Sequence, residues 1–208
     1  MSDQIVQYNI AIIAALSVLI GAVIGACASL LSSFVSRKVT ELGRVDVFCR
    51  IVHSKTGRKS FGVYNSSITN KHVLIIPMWM EMANTAMSAK YIRDFNVVAY
   101  NNNEMVAEFV QIQGINIGEE NELEFGNHQS YSFMVDGKTI QRFELEFMLH
   151  ESSLQDENKA FNVLKVRYYD ERGNRTENTI YSNSSPIEWK IGDIPYKKEW
   201  ILVSGRKR

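Results

Sequence analysis

Most of the features that mark a nucleic-acid binder or a disulfide-rich secreted protein are missing from this 208-residue chain. Lysine plus arginine and aspartate plus glutamate each number 23, so the chain lacks the basic excess that is typical of nucleic-acid binders, and we expect no nucleic-acid partner. Only two cysteines occur, Cys27 in an apolar run and Cys49 in a strand-like segment, which argues against a disulfide framework. Two unpaired thiols favour a reducing compartment.

Sequence motifs for catalysis or cofactor binding are also lacking. The four histidines are scattered and show no spacing that predicts a zinc site. A phosphate-binding loop ending at residues 137–139 would need a glycine at the position of Ser132. No G-x-S-x-G motif marks a serine hydrolase, and Cys49 alternates with Val47 and Ile51 in the pattern of a buried core residue. We therefore expect no cofactor, no metal and no enzymatic activity.

Charge is absent from a long apolar run, residues 10–35. As a helix this run would be about 39 Å long, which is enough to cross a hydrocarbon core of about 30 Å with some tilt. The nine residues before it contain no lysine or arginine, unlike a signal peptide. A lipoprotein cleavage site at residues 24–27 is the weaker alternative, because the apolar run continues beyond it. The sequence predicts a transmembrane helix over residues 10–35.

The charges on either side of this run predict its orientation. Residues 1–9 contain one charged side chain, Asp3, whereas the 25 residues after the run contain seven basic and two acidic side chains. Positive residues stay on the cytoplasmic side of a membrane. We expect a short extracytoplasmic N-terminus, a basic juxtamembrane linker over residues 36–43 and a cytoplasmic C-terminal domain. Arg37, Lys38 and Arg44 are the candidate membrane-surface residues. The N-x-S/T triplets of this domain are then interpreted as chance.

Small side chains recur at every fourth position of the predicted helix. They are Ser17, Gly21, Gly25, Ser29 and Ser33. Helices in lipid associate by close packing, and small residues let the backbones approach each other. We interpret these five residues, the small-residue stripe, as a helix-packing surface for a second copy or for another membrane protein. The serine hydroxyls could instead bond to carbonyls four residues earlier in the same helix.

From Arg44 onward the pattern of apolar residues has a period of two, which is typical of half-buried strands. The predicted strands cover residues 44–52, 73–82, 91–100, 104–113, 130–135, 142–149, 163–169 and 176–181. Short strands separated by turn-forming sequences predict a mainly β domain over residues 44–203, an immunoglobulin-like antiparallel β-sandwich, with a small β-barrel as the alternative. Residues 204–208 are a basic tail.

Three finer expectations concern this domain. Pro77 interrupts an apolar strand and cannot donate to a ladder, so it is expected at a sheet edge or a bulge. The residues Met78, Met80 and Met82 fall on one face of the same strand, and we interpret them as core. Residues 94–137 contain no lysine or arginine. The candidate partner-binding residues there are Glu119, Glu120, Glu122 and Glu124.

The predicted function is binding and assembly at a membrane. We expect a single-span membrane protein whose cytoplasmic sandwich binds a protein or a small ligand, and whose helix oligomerises or packs with another membrane subunit. A membrane sensor–effector, as in bacterial defence against phage, is an alternative by analogy of architecture alone. A membrane-anchored enzyme whose site is built from distant loops is a further, weaker alternative.

Overall fold

The computed structural model describes residues 2–53, 59–66, 71–116, 131–154 and 160–204. The chain divides into two compact units. The first is an N-terminal helical unit that ends at Leu42, and the second is a β domain that begins at Gly43.

The N-terminal unit is one helix, α1, which covers Ser2–Glu41. It is longer than the predicted span at both ends. Residues 2–9 and 36–41 contain neither glycine nor proline, so nothing in the sequence interrupts helical hydrogen bonding there. The Thr40 hydroxyl donates to the Ser36 carbonyl at 2.8 Å, and the helix stops before Gly43, whose φ is +129°. Most of the predicted basic linker over residues 36–43 is therefore the last turns of α1.

The β domain contains twelve strands among the described residues. They are β1 (Val45–Ile51), β2 (Gly62–Asn65), β3 (His72–Asn84), β4 (Lys90–Asn101), β5 (Glu104–Glu108), β6 (Val110–Asn116), β7 (Tyr131–Val135), β8 (Ile140–His150), β9 (Val163–Asp170), β10 (Arg175–Ser182), β11 (Gly192–Asp193) and β12 (Ile201–Leu202). A short 3-10 helix, Glu151–Ser153, follows β8.

Strand β3 is the centre of the first sheet, sheet A. It pairs with β8 along one side, and with β2 and then β1 along the other. Strand β6 extends the sheet beyond β8, while β11 and β12 add to β2 and β1. All of these pairings are antiparallel.

The second sheet, sheet B, is arranged in the same way around β4. Strand β9 pairs along one side of β4, and β7 and β5 share the other. Strand β10 pairs with β9 and forms the edge. Every pairing is again antiparallel, so the prediction of a mainly β antiparallel domain is confirmed.

A single apolar core lies between the two sheets. Phe147 of β8 contacts Phe95 of β4 and Tyr131 of β7, with ring centroids 6.1 and 5.4 Å apart. Met78, Met80 and Met82 are completely buried in this core, as predicted, and so is Cys49 at 1 % exposure. The described strands form two sheets packed face to face, a β-sandwich-like arrangement, and not the closed sheet of a barrel.

The predicted strand over residues 104–113 is in fact two strands in different sheets. Strand β5 pairs with β4 of sheet B, and β6 pairs with β8 of sheet A. Between them Phe109 is 2 % exposed, and its backbone N–H donates to the Val97 carbonyl at 2.9 Å. The chain crosses from one layer to the other at a residue that fits the alternating pattern, so periodicity alone did not reveal the crossing.

The expectation that Pro77 marks an edge or a bulge is wrong. Pro77 is buried in the central strand β3, opposite Glu146 of β8. Its carbonyl accepts from the Val52 N–H at 3.0 Å, and in an extended strand the nitrogen of the same residue points to that side. Along this side of β3, the pairing with β1 ends at Met78 and the pairing with β2 begins at Ile75. The missing donor therefore faces the gap between two partner strands.

Candidate functional site

The apolar helix is the first candidate functional element. Among the described residues, one helix, over Ile12–Thr40, is long and apolar enough to cross a membrane. Every side chain from residue 12 to residue 40 is exposed. A soluble domain buries apolar side chains of this kind, because each contributes about 1.5–3 kcal/mol when it leaves water.

The small-residue stripe lies on this continuous helix, and all five residues are exposed. Since neighbours four apart share a helix face, the structure places them along one side. A Cβ atom added at Gly21 or Gly25 would meet no atom within 4 Å. The Ser17 hydroxyl donates to the Ile13 carbonyl at 2.8 Å, which is the internal bond that the sequence left open. Packing of this stripe against another helix stays a prediction.

The predicted membrane-surface residues lie in different units of the chain. Arg37 and Lys38 belong to the end of α1, where the Lys38 ammonium is 5.8 Å from the centroid of the Phe34 ring. Arg44 belongs to the β domain. Its backbone N–H donates to the Thr85 hydroxyl at 2.9 Å, and its Nε lies 2.8 Å from an oxygen of Asp46.

The predicted acidic binding residues Glu119, Glu120, Glu122 and Glu124 lie outside the described residues. Their predicted role in partner binding therefore stays a prediction.

Residues 136–139, which carry the Gly-Lys-Thr sequence, form the turn between β7 and β8. A Cβ atom at Gly137 would lie 2.0 Å from the Met87 carbonyl oxygen, so glycine permits this close approach. The Lys138 ammonium donates to the Thr85 carbonyl at 2.6 Å, and Asn84 donates to the Val135 carbonyl at 3.0 Å. These contacts connect the turn between β7 and β8 to the segment between β3 and β4, which contains Thr85 and Met87.

In the part of the chain that the structure describes, no three histidine, cysteine or acidic side chains lie close enough together to hold a metal ion. Burial raises the pKa of the Cys49 thiol well above its usual range, which keeps it in the unreactive thiol form. His72 Nδ1 lies 3.0 Å from a carboxylate oxygen of Glu151, at the surface beside the 3-10 helix.

A groove of about 650 Å³ runs beside the edge strand β10. Its lining residues are Thr179, Ile180, Tyr181, Ser182, Asn183, Pro195, Tyr196, Lys197, Glu199 and Ile201. A second groove, of about 340 Å³, shares Tyr181, Asn183 and Pro195 with the first. Burial raises the pKa of both Tyr181 and Tyr196, so both phenols remain protonated donors at neutral pH. The lining of the groove combines apolar side chains, such as those of Ile180 and Ile201, with tyrosine hydroxyls.

The surface of sheet A that faces away from the core, its outer face, carries a group of aromatic and arginine side chains. The guanidinium carbon of Arg142 lies 5.8 Å from the centroid of the Trp79 ring and 5.4 Å from that of Trp200. Arg142 also donates to a carboxylate oxygen of Glu81, from Nε at 3.1 Å and from Nη2 at 2.5 Å. Arg50 is the cross-strand partner of Trp79 on the same face. Tryptophan and arginine are the residues most enriched in protein-binding hot spots.

The spacing of residues in the sequence does not predict this group. The alternation in β3 places Trp79 and Glu81 on the face opposite the methionines. This alternation is the feature of the sequence that points to the outer face. Their neighbours Arg142 and Trp200 come from β8 and from the residue just before β12, more than 60 positions away in sequence. Only the order of strands in sheet A brings them together.

No protein-family model matches this chain, and no curated protein matches it.

Proposed function

We propose that this protein is a single-span, membrane-anchored binding protein without catalytic activity, whose β domain lies in the cytoplasm. One observation carries the proposal. Fourteen large apolar side chains between Ile12 and Leu42 are exposed on the N-terminal unit. The lipid interior would remove these side chains from water, while the helix satisfies its own backbone hydrogen bonds, as a membrane-spanning segment must.

The proposed orientation rests on charge. Arg37 and Lys38 lie at the C-terminal end of the helix, and the chain before the apolar run has no basic residue. The positive-inside rule then assigns the β domain to the cytoplasm. The same two residues would contact the anionic cytoplasmic leaflet, at about 1 kcal/mol for each basic residue near the surface.

The proposed mode of assembly is helix packing through the small-residue stripe. Support comes from the open space around Gly21 and Gly25 and from their position on one side of a continuous helix. Close approach of two backbones at glycine is the usual basis of such contacts in lipid. The partner helix would belong to a second copy or to another membrane protein.

The β domain is proposed to be an immunoglobulin-like sandwich that recognises a partner. Two antiparallel sheets with a chain crossing between layers at Phe109 support the fold assignment. The groove beside β10 and the aromatic–arginine group on sheet A support the binding role, since both present apolar surface together with hydrogen-bond donors.

Extraction from membranes tests the anchor. We expect the full chain to stay in the membrane pellet after alkaline carbonate treatment. The double variant Ile20→Lys/Ile24→Lys should move to the supernatant, because a lysine near the centre of a span costs about 2.5–3.5 kcal/mol. Met134→Lys/Ile140→Lys, at two exposed apolar positions of the β domain, is the matched control and should stay in the pellet. A native chain that carbonate releases would contradict the proposal.

A further inference from the structure

Three segments at one end of the β domain are joined to each other by hydrogen bonds. The Thr85 N–H donates to the Arg44 carbonyl, and the Lys138 N–H donates to the Ala86 carbonyl, both at 2.9 Å. We call this end the entry platform, because the chain enters the β domain here. It consists of residues 43–44, 85–89 and 136–139, which lie before β1, between β3 and β4, and between β7 and β8.

The entry platform follows the apolar run at a short distance along the chain. A Cβ atom added at Gly43 would lie 2.4 Å from the Ala86 Cα, so Gly43 packs directly on the platform. The apolar run ends at residue 35, and seven residues, 36–42, separate it from Gly43. Residues 36–41 are helical, and seven helical residues cover about 10 Å. A helix that crosses the membrane therefore brings the entry platform close to the lipid headgroups.

Exposed apolar side chains are concentrated at this end of the domain. Seven large apolar side chains of the β domain are exposed among the described residues. Four of them lie on the entry platform or within two residues of it, and they are between 44 and 69 % exposed: Met87, Tyr91, Met134 and Ile140. Tyr91 and Met134 are directly opposite each other on β4 and β7. Such a concentration on the surface of a domain is typical of an interaction site.

The charges near these side chains are compatible with a membrane surface. At the platform the described charges balance: Arg44 pairs with Asp46, Lys90 pairs with Glu171, and Lys138 shares its turn with Asp136. Basic residues come from the chain on either side. Arg37 and Lys38 precede the platform on α1. The Ser204 hydroxyl donates to the Val45 carbonyl at 3.0 Å, and Arg206, Lys207 and Arg208 follow it in the sequence. Basic residues beside apolar ones favour an anionic lipid interface.

We propose that the entry platform rests in the cytoplasmic interface of the membrane, with Met87, Tyr91, Met134 and Ile140 among the headgroups and upper acyl chains. The inference rests on the proposed membrane anchor and adds a second contact with lipid. Two strand residues cover about 7 Å, which matches an interface about 5–10 Å deep. Tyrosine is favoured at this depth, because its ring is apolar and its hydroxyl reaches water.

This contact would leave the groove beside β10 open to the cytoplasm. Strand β10 begins after the turn that follows β9, at the end of sheet B where β4 begins, and its last residues lie near Tyr100 at the other end of β4. The groove is lined by residues 179–183, the far half of β10 and the residue after it. A domain held by its entry platform therefore presents this groove away from the lipid.

Quenching of a fluorescent probe by nitroxide-labelled lipid tests the inference on the full chain. Single cysteines in a Cys27→Ala background carry an environment-sensitive fluorophore, since Cys49 is buried. The vesicles contain phosphatidylcholine and phosphatidylglycerol, with the nitroxide on the upper acyl chain. We expect Met87→Cys and Ile140→Cys to be quenched at least about twofold more than Met105→Cys, because the interface is only about 5–10 Å deep. Met105 is the matched control, an exposed methionine opposite Tyr100 at the far end of β4.

A charged variant tests the role of the apolar side chains. Met134→Glu/Ile140→Glu should lower the quenching at Met87→Cys severalfold, because carboxylates are disfavoured at an anionic interface. The variant should melt within a few degrees of the native chain, since both positions are exposed. It should also stay in the carbonate pellet, because the span alone holds the chain in the membrane. Unchanged quenching in this variant would overturn the inference.

Val23→Cys, in the apolar run, reports on the anchor in the same vesicles. Strong quenching at Val23→Cys with equal quenching at Met87→Cys and Met105→Cys would overturn the inference and leave the anchor intact. Weak quenching at Val23→Cys would contradict the anchor, and the inference would be overturned with it.

Discussion

Asp170 shows how one residue specifies a turn. It ends β9, and its carboxylate accepts from the backbone N–H groups of Arg172 and Asn174 at 2.9 and 2.8 Å and from the Asn174 side chain at 2.8 Å. Gly173 in the same turn has a φ of +79°. The sequence "DERGN" between two strand-like runs is typical of a four- or five-residue hairpin, and the structure has four residues between β9 and β10.

Replacing Asp170 with alanine should lower the free energy of unfolding by about 1 kcal/mol at neutral pH, because two backbone donors lose their acceptor. Burial acts to raise the pKa of Asp170, but the hydrogen bonds from Asn174 and Arg172 outweigh it, so the pKa lies below its ordinary value of 3.8. Because the pKa is lowered in the folded state, the contribution of Asp170 to the free energy of unfolding is fully present above the ordinary value of 3.8. This contribution is lost as the pH falls through the folded-state pKa.

Urea unfolding from pH 7 down to pH 2 measures this effect. The difference between native and variant domains should shrink below pH 3.8. Asp136→Ala, an exposed aspartate in the turn between β7 and β8, is the control and should show little change at any pH. An equal loss in both variants would mean that the carboxylate of Asp170 has no special role in its turn.

At the scale of whole elements, the alternation of apolar residues predicted where strands lie, but not which strands pair with each other. The strand that contains Met78 and the strand that contains Phe147 were both predicted from alternation, because each has one face in the core. The position of Pro77 in a central strand could not be predicted, since it depends on where two other strands end. The division of residues 104–113 at Phe109 was hidden for a related reason: a buried crossing residue continues the alternation.

The helix α1 was predicted in its apolar part and extends beyond it at both ends. The thickness of the hydrocarbon core sets how many residues of a span must be apolar, but it does not limit how far the helix continues into water. Residues 36–41 are polar except for Val39 and still form helix, because no helix-breaking residue occurs before Gly43.

Isoleucine at Gly21 or Gly25 should weaken association of this helix. A branched side chain at either position would hold two backbones apart, and we expect a loss of about 1 kcal/mol, roughly fivefold in the association constant. Ser17→Ala should have a smaller effect, because the Ser17 hydroxyl already bonds to Ile13.

The measurement is disulfide-independent crosslinking, or a membrane two-hybrid signal, for each helix variant. Leu19→Ile and Val23→Ile lie on the opposite side of the helix and should associate as the native chain does. If the two glycine variants give the native signal, then the small-residue stripe is only a matter of composition, and any assembly must come from the β domain.

For the molecule as a whole, architecture was easier to predict than recognition. An apolar helix followed by an antiparallel β domain follows from periodicity and length. The outer face of sheet A combines Arg50, Trp79, Arg142 and Trp200, which are spread over most of the β domain's sequence and meet only through the strand order β12-β1-β3-β8. No local spacing encodes such a group, so the sequence gives no signal for it.

The central claim is that a single span separates a short external N-terminus from a cytoplasmic β domain. Membrane-impermeant maleimide, applied to intact cells, tests it with single cysteines at Ser2 and at Ser204 in a Cys27→Ala background, which itself should give no signal because Cys49 is buried. We predict labelling of Ser2→Cys in intact cells, and of Ser204→Cys only after the membrane is opened. Labelling of Ser204→Cys in intact cells would contradict the orientation and, with it, the proposed cytoplasmic binding role.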